Sequence, residues 1–249
     1  MTIRIAIAGA NGRMGRTLID AVTADGELKL AALVDLIGVD NEIAGLRVSA
    51  DSASIAEADV LIDFTRPEGA LAHLKHARAC VIGTTGFDEK DKTQIAAASK
   101  RIPVVLSPNF AIGVNVLFKL AETAAKTLGE GYDIEIVEAH HRHKVDAPSG
   151  TALKLGELIA SVLKKKDFAF GRRGDTGERP VRQIGYHSIR GGDIVGEHTV
   201  VYAGTGERVE LTVRSQSRMT YALGALRAAK WLKGKPAGLY DMFDVLGLR

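Results

Sequence analysis

Short apolar runs alternate with helically spaced segments through the first part of the chain. Ile3–Ala8 is one such run, Arg13–Ala24 carries its apolar residues at helical spacing, and Leu28–Val34 is a second run that leads into Asp35. Strands are predicted again at 58–64, 79–83 and Pro103–Leu106, with helices at 67–77 and 88–99 between them. Pro67 suits the first turn of its helix, where its missing N–H costs nothing. Runs that are apolar on both faces and separated by helices predict a parallel, doubly wound sheet. After Ala111 the pattern changes. Segment 114–128 reads as a helix and 132–139 as a strand. Leu155, Leu158, Ile159, Val162 and Leu163 then form one stripe of a helix over 151–165. Segment 170–179 is rich in glycine and charge and reads as an exposed, mobile loop. Beyond it, 181–189, 194–203 and 207–216 read as strands, with Gly204-Thr205-Gly206 as a hairpin connection. The second half is therefore expected to be α+β with a mostly antiparallel sheet. A final helix at 221–233 is stopped by Gly234 and Pro236.

Composition narrows the class. The 249 residues are 46% hydrophobic and 25% charged, ordinary for a globular protein, with a net charge of +3. The densest basic cluster, Lys164-Lys165-Lys166, closes a predicted helix, where cations complement the helix dipole, so no nucleic-acid partner is expected. The one cysteine, Cys80, lies in an apolar run and reads as a buried thiol in a reducing compartment. No apolar stretch approaches the roughly 18–20 residues that span a bilayer, and the N-terminus lacks signal-peptide order. The expectation is a cytoplasmic protein without a membrane partner.

Two segments carry chemistry. Gly9-Ala10-Asn11-Gly12-Arg13-Met14-Gly15 follows a strand and opens a helix. Such a turn lets the backbone approach a pyrophosphate, and the helix start supplies unpaired N–H groups and a favourable dipole. Asp35 ends the second strand about twenty residues after Gly15, where an acid would hydrogen-bond an adenosine ribose. Dinucleotide binding is expected, the alternative being glycines that serve only a tight turn. Small or polar residues also end later strands: Asp63-Phe64-Thr65, Gly83-Thr84-Thr85-Gly86 and Ser107-Pro108-Asn109-Phe110. Ligands bind outside such strand ends in open parallel sheets.

The second segment runs from His140 to Thr151 and contains five consecutive potentially cationic side chains, His140-His141-Arg142-His143-Lys144. Ser149 is a good N-cap, and with the amides of Gly150 and Thr151 it makes an anion site at a helix start. The whole suits a carboxylate-bearing substrate, and histidine is the natural proton donor near neutral pH. A metal site using His140, His141 and His143 is a rival reading, but no acidic or cysteine partner sits at helical spacing, so none is expected. A solvated basic loop is the other alternative.

In these segments, and in Arg190-Gly191-Gly192-Asp193-Ile194-Val195-Gly196-Glu197-His198, the chain resembles the 4-hydroxy-tetrahydrodipicolinate reductases, also called dihydrodipicolinate reductases. The resemblance covers most of the chain and is most specific over 140–151. It implies a Rossmann domain at 1–111 completed by 221–249, and at 112–220 a substrate-binding and oligomerisation domain built on a mixed or antiparallel sheet. It implies a homotetramer that uses NADH or NADPH to reduce a cyclic imine-type dicarboxylate, with loss of water, in diaminopimelate and lysine synthesis. On this resemblance His140 and Lys144 are the acid–base pair, and His141, Lys144, Gly150 and Thr151 hold the substrate carboxylates. Gly9, Ala10, Asn11, Gly12, Arg13, Met14, Asp35, Phe64, Gly83, Thr84, Thr85, Ser107, Pro108, Asn109 and Phe110 line the cofactor. Family members often carry arginine after the strand-end acid, where it meets a 2′-phosphate; here Leu36 follows Asp35, which favours NADH, although Arg13 and Arg16 still offer cations. Domain closure about hinges near 111–113 and 217–221 is expected. Another Rossmann dehydrogenase acting on an amino acid such as aspartate, or a non-catalytic NAD sensor, are the alternative functions.

Overall fold

The computed structural model of the chain describes residues 2–164 and 167–249. It begins with β1 (Ile3–Ala8), α1 (Arg13–Ala24), β2 (Leu28–Val34), β3 (Glu42–Ile43), β4 (Leu46–Ser49), β5 (Val60–Asp63), α2 (Pro67–Leu74), β6 (Cys80–Ile82), α3 (Glu89–Ser99) and β7 (Pro103–Leu106). There follow α4 (Ile112–Leu128), β8 (Asp133–His140), α5 (Gly150–Leu163), β9 (Asp167–Phe170), β10 (Gln183–Arg190), β11 (Gly196–Ala203) and β12 (Arg208–Ser215). The chain ends with α6 (Met219–Leu232), β13 (Gly238–Tyr240) and α7 (Met242–Leu246). Two units result, one from residues through Ile112 with Arg218–Arg249, the other Gly113–Ser217.

In the first unit eight strands run in the order β13-β7-β6-β5-β1-β2-β4-β3, all pairs parallel except β3 with β4. Strand periodicity places Ile5 and Ile7 of β1 in one apolar layer with Leu18 of α1 and Leu226 of α6, and Ala6 and Ala8 in the other with Leu61, Ile82 and Ile95. Both faces are thus covered, as a parallel sheet requires. Strand order reverses at β1, with β2 on one side and β5 on the other. The crevice beyond the carboxyl ends at such a reversal is where this architecture binds ligands. Strands of two to four residues (β3, β4, β13) and the short α7 escaped the sequence pattern, because they hold too few residues to show a period. Cys80 is fully buried in β6, and burial pushes its thiol well up.

In the second unit five strands run in the order β12-β11-β8-β10-β9. The expectation of a mostly antiparallel sheet needs correcting: β12–β11 and β11–β8 are antiparallel, but β8–β10 and β10–β9 are parallel. The cause is two crossovers: α5 returns the chain to the same end of the sheet before β9 begins, and segment 171–182 returns it again before β10. β9 was also not anticipated; its Phe170, read as loop, stacks on Tyr186 with ring centroids 5.2 Å apart. α5 ends at Leu163 with Lys164 in the left-handed region, and Lys165 and Lys166, expected to close it, lie outside the described residues. Among the described residues no helix is long and apolar enough to cross a membrane, and no cluster of His, Cys, Asp or Glu has the geometry to hold a metal.

The two faces of this sheet differ in chemistry. Ile134, Ile136, Glu138 and His140 share one face of β8; the first three are fully or almost fully buried, and His140 is 8% exposed. The register sets Ser188 of β10 and His198 of β11 beside Glu138, and Arg190 beside His140. A stripe that starts in aliphatic core therefore ends in a polar patch. On the other face, Glu135 receives both terminal nitrogens of Arg172 at 3.0 and 2.9 Å, Nε of Arg179 at 2.8 Å and His187 Nε2 at 2.6 Å. Burial alone would raise its carboxyl pKa, but the guanidinium and imidazole partners take it down to about 2. Two arginines of the glycine-rich segment are held by this one carboxylate.

Candidate active site

The turn after β1 is built from contacts that only glycine allows. Gly9 has φ +74°, and the Gly12 amide donates to its carbonyl at 3.0 Å. A Cβ on Gly15 would lie 2.0 Å from that same carbonyl oxygen, so α1 starts in direct backbone contact with the turn. Gly12 caps α1 without any side-chain hydrogen bond, and no acid sits in the first turn. The amides at that helix start are therefore left for a ligand, with a dipole that favours negative charge.

A cavity of about 610 Å³ opens over this turn. It is lined by Gly9, Asn11, Gly12, Arg13, Met14, Gly15, Asp35 and Phe64 of the expected turn and strand ends, by Thr65 of the same Asp63-Phe64-Thr65 strand end, and by Ile37, Arg66, Arg218 and Tyr221, which were not expected. Three arginines against one aspartate suit a pyrophosphate. Arg66 follows a strand end and was readable as such; Arg218 comes from the far end of the sequence and gave no local signal. Asp35 accepts from the Asn11 amide at 2.8 Å and from the Ile37 amide at 3.1 Å, which ties the two strand-end loops together. Arg16 is engaged with the Asn11 side chain at 2.8 Å, while Leu36 and Ile37 are 83% and 76% exposed. These residues fit the adenosine half of a nicotinamide dinucleotide.

The remaining expected cofactor residues do not line that cavity. Ala10 is buried under the turn. Phe110 packs its ring 5.5 Å from that of Phe64, and a Cβ on Gly83 would strike the Phe64 ring at 2.1 Å. Thr84 is buried and donates to Asp63 at 3.2 Å, as do the Thr65 amide and hydroxyl at 2.8 and 2.6 Å. Asp63, fully buried, also pairs with His73 Nδ1 at 2.7 Å. Ser107 donates to the Asn109 carbonyl at 2.9 Å, and Thr85 and Pro108 are exposed on their loops.

In the second unit the basic segment leaves β8 at His140. His140 Nδ1 lies 2.5 Å from Glu138 Oε2, and Arg190 donates to both Glu138 oxygens at 2.9 and 2.7 Å. The Ser149 amide reaches Glu138 Oε1 at 3.3 Å. Burial works to raise the Glu138 carboxyl pKa; hydrogen bonds from Arg190, Ser188 and His140 outweigh it and bring it to about 2. For His140 burial dominates and lowers its pKa, against the pull of Glu138. His198 crosses the His140 ring edge-on at 5.1 Å and meets Ser149 Oγ at 3.0 Å. Burial, helped by His140, takes its pKa down to about 4. Ser149 Oγ also accepts from the Ala152 amide at 3.2 Å, so the expected N-cap is present and its hydroxyl is already engaged. Gly150 is the exposed first residue of α5, and Thr151 follows it. Lys144 pairs with Asp146 at 2.8 Å, and His141 Nδ1 is buried without a partner. Glu138, Arg190 and His198 belong to the motifs that carry the resemblance but were given no role from the sequence. The signal was present: strand period 2 puts Glu138 on the Ile134–Ile136 face, where a buried carboxylate demands a cation.

These partners make the second unit acid-sensitive. His198 is held neutral, with a folded pKa of about 4 below its unfolded value near 6.5, so its contribution is complete above pH 6.5 and lost as pH falls to 4. At about 1.4 kcal/mol per pH unit this amounts to roughly 3 kcal/mol. Glu135 and Glu138, depressed from 4.5 to about 2, extend the loss from pH 4.5 down to 2. Thermal midpoints measured by calorimetry should fall steadily from pH 6.5 to 4, and His198→Asn should flatten that interval. An unchanged slope in the variant would contradict the assignment.

Comparison with known proteins agrees with both halves. The N-terminal model of dihydrodipicolinate reductase matches residues 3–110, and the C-terminal model of the same family matches 113–246. The chain belongs to the dihydrodipicolinate reductase family. Relatives named 4-hydroxy-tetrahydrodipicolinate reductase include those of Thiobacillus denitrificans, 54% identical over all of both chains, and Aromatoleum aromaticum, 54% identical over all of this chain and 97% of that one. Among solved structures, a dipicolinate-bound dihydrodipicolinate reductase from Paenisporosarcina sp. TG-14 superposes with a TM-score of 0.81 at 28% identity, covering 98% of this chain and 99% of that one. A diaminopimelate dehydrogenase of C. glutamicum shares the fold, with a TM-score of 0.59 at 13% identity over 98% of this chain and 94% of that one. A reductase of this family takes a nicotinamide cofactor, and the glycine turn and arginine-lined cavity described above suit one.

Proposed function

We propose that this chain reduces 4-hydroxy-tetrahydrodipicolinate to tetrahydrodipicolinate with loss of water, as a homotetramer, preferring NADH. The observation that carries this reading is the basic segment from His140 to Thr151, anchored at its base by the buried Glu138–Arg190 pair and ending on the capped start of α5. The solved relative was obtained with dipicolinate, a flat ring bearing two carboxylates. Such a ligand asks for the cations and helix-start amides found here.

A bound nicotinamide supplies the hydride. Gly9, Gly12 and the amides at the start of α1 hold its pyrophosphate, with Arg13, Arg66 and Arg218, and Asp35 holds the adenosine ribose. His141, Lys144, Gly150 and Thr151 bind and orient the substrate carboxylates, with the Ser149 hydroxyl fixing the helix start rather than touching substrate. Orientation matters because productive transfer needs reacting atoms roughly 3–3.5 Å apart. The electron pair that arrives with the hydride must be met by a proton. Lys144 Nζ, an ammonium paired with Asp146, is the group that delivers it, and His140 Nε2, the nitrogen not engaged by Glu138, is the acceptor that can take up a proton and pass it on.

NADH is favoured because Asp35 repels a 2′-phosphate and the next two positions, Leu36 and Ile37, offer exposed apolar side chains instead of a cation. The test follows oxidation of NADH and NADPH with freshly condensed pyruvate and aspartate semialdehyde. Turnover with kcat/KM for NADH at least equal to that for NADPH is expected. A large NADPH preference would remove the cofactor reading, and no oxidation of either, with binding intact, would remove the reaction.

A further inference from the structure

We infer that Glu138, clamped by Arg190, is a positioning residue that fixes His140 as the Nδ1–H form, leaving Nε2 as the chemically available nitrogen. The inference rests on the proposed function for its kinetic consequence, but its structural content stands on the hydrogen bonding alone.

Glu138 lies on the apolar face of β8, its side chain wholly shielded from solvent, two residues before His140 on the same face. Both its oxygens accept from Arg190, and Oε1 also accepts from the Ser149 amide. A protonated carboxyl would have to turn one oxygen into a donor and lose part of that bidentate pairing. The group is therefore the carboxylate, and a carboxylate only accepts. The proton in the 2.5 Å contact must accordingly sit on His140 Nδ1. Neutral His140 then carries its lone pair on Nε2, the atom that can take up or pass on a proton.

The surroundings of His140 support a neutral resting ring. The groups facing it are Glu138 from its own strand, Arg190 from β10, His198 from β11 and Lys144 from the basic segment. Burial disfavours the charged ring most, and the cations Lys144 and Arg190 add to it, so the single carboxylate orients the imidazole without holding it as imidazolium. Lys144 is then the charged proton source, and His140 the neutral partner of defined direction.

The experiment is long-range ¹H–¹⁵N correlation of the histidine rings in the full chain at pH 7, with His140 assigned by His140→Asn. Wild-type His140 should show a protonated Nδ1 and an unprotonated Nε2. In Glu138→Gln the ring should lose that preference, and kcat should fall about 10- to 100-fold, as when a histidine loses the carboxylate that orients it. KM and the NADH dissociation constant should stay within about twofold, and the acid limb of the kcat–pH profile should move to lower pH. Glu138→Asp should recover part of the rate. An Nε2–H tautomer in the wild type, or a Glu138→Gln enzyme with unchanged tautomer and kcat, would overturn the inference. Should Glu138→Gln not fold, the wild-type tautomer and the Glu138→Asp pH profile decide it. Because the tautomer is read without turnover, the expected spectrum from a chain that oxidises no cofactor would refute the proposed reaction and still support the positioning role.

Discussion

Replacing Lys144 with alanine should lower kcat by about 10²- to 10⁴-fold, the usual scale for loss of a positioned acid or base. Cofactor affinity should remain within about twofold, because Lys144 belongs to the second unit and the glycine turn to the first. The fold should tolerate the change. Lys144 is partly exposed and its partner Asp146 more so, and an ion pair of that kind contributes at most about 1 kcal/mol. KM should rise as well, since the same ammonium holds a substrate carboxylate, but kcat should carry most of the loss. Steady-state kinetics with saturating NADH, alongside titration of NADH binding, separates the two. Retention of wild-type kcat would sink the assignment of Lys144. It would also favour a related dehydrogenase whose chemistry does not depend on this segment, whereas a chain that binds NADH but shows no turnover before or after the substitution would favour a protein that binds the dinucleotide without chemistry.

The second large effect is expected at Gly15. Its added Cβ would meet the Gly9 carbonyl oxygen at 2.0 Å, the Gly9 carbonyl carbon at 2.8 Å and Ala10 Cα at 2.9 Å. All three are main-chain atoms of the turn, so no side chain can swing aside. Gly15→Ala must push α1 off the end of β1, which opens the turn that cradles the pyrophosphate. NADH affinity should fall by more than about 100-fold. An overpacked contact costs about 1–3 kcal/mol, and at this chain length each kcal/mol lowers the thermal midpoint by about 2–4 °C. Gly26→Ala is the control, because nothing lies within 4 Å of its Cβ and its φ is not positive. Calorimetric titration with NADH and a melting curve give both readings. A Gly15→Ala chain that binds NADH like the parent would show that the contact relaxes cheaply.

Much of the nucleotide half was legible from local pattern. The run Ile3–Ala8, the glycines and Asp35 are consecutive signals of one β–α–β unit, and each refers to a neighbour close in sequence. The cavity's other walls were not legible, since Arg218 and Tyr221 reach it after a long excursion through the second unit. In the substrate half the basic cluster was conspicuous as composition. What organises it was not: Glu138, Arg190 and His198 come from three strands and meet only through register, which a single sequence does not display. The parallel pairing of β8 with β10 was missed for a similar reason. Periodicity distinguishes a strand from a helix, but it is silent on the direction from which the next strand arrives.

The return of α6, β13 and α7 to the first unit sets an order of maturation during synthesis. Ala222, Ala225, Leu226, Ala229 and Leu232 of α6 fill the layer over Ile5 and Ile7, and β13 covers the edge of β7. Until those segments emerge from the ribosome, that layer is covered by α1 but not by α6, and the β7 edge is unpaired. The second unit has its whole sequence by Ser217 and can fold first. The nucleotide unit, although begun earliest, is finished last, so cofactor binding marks a chain whose translation has passed beyond β13.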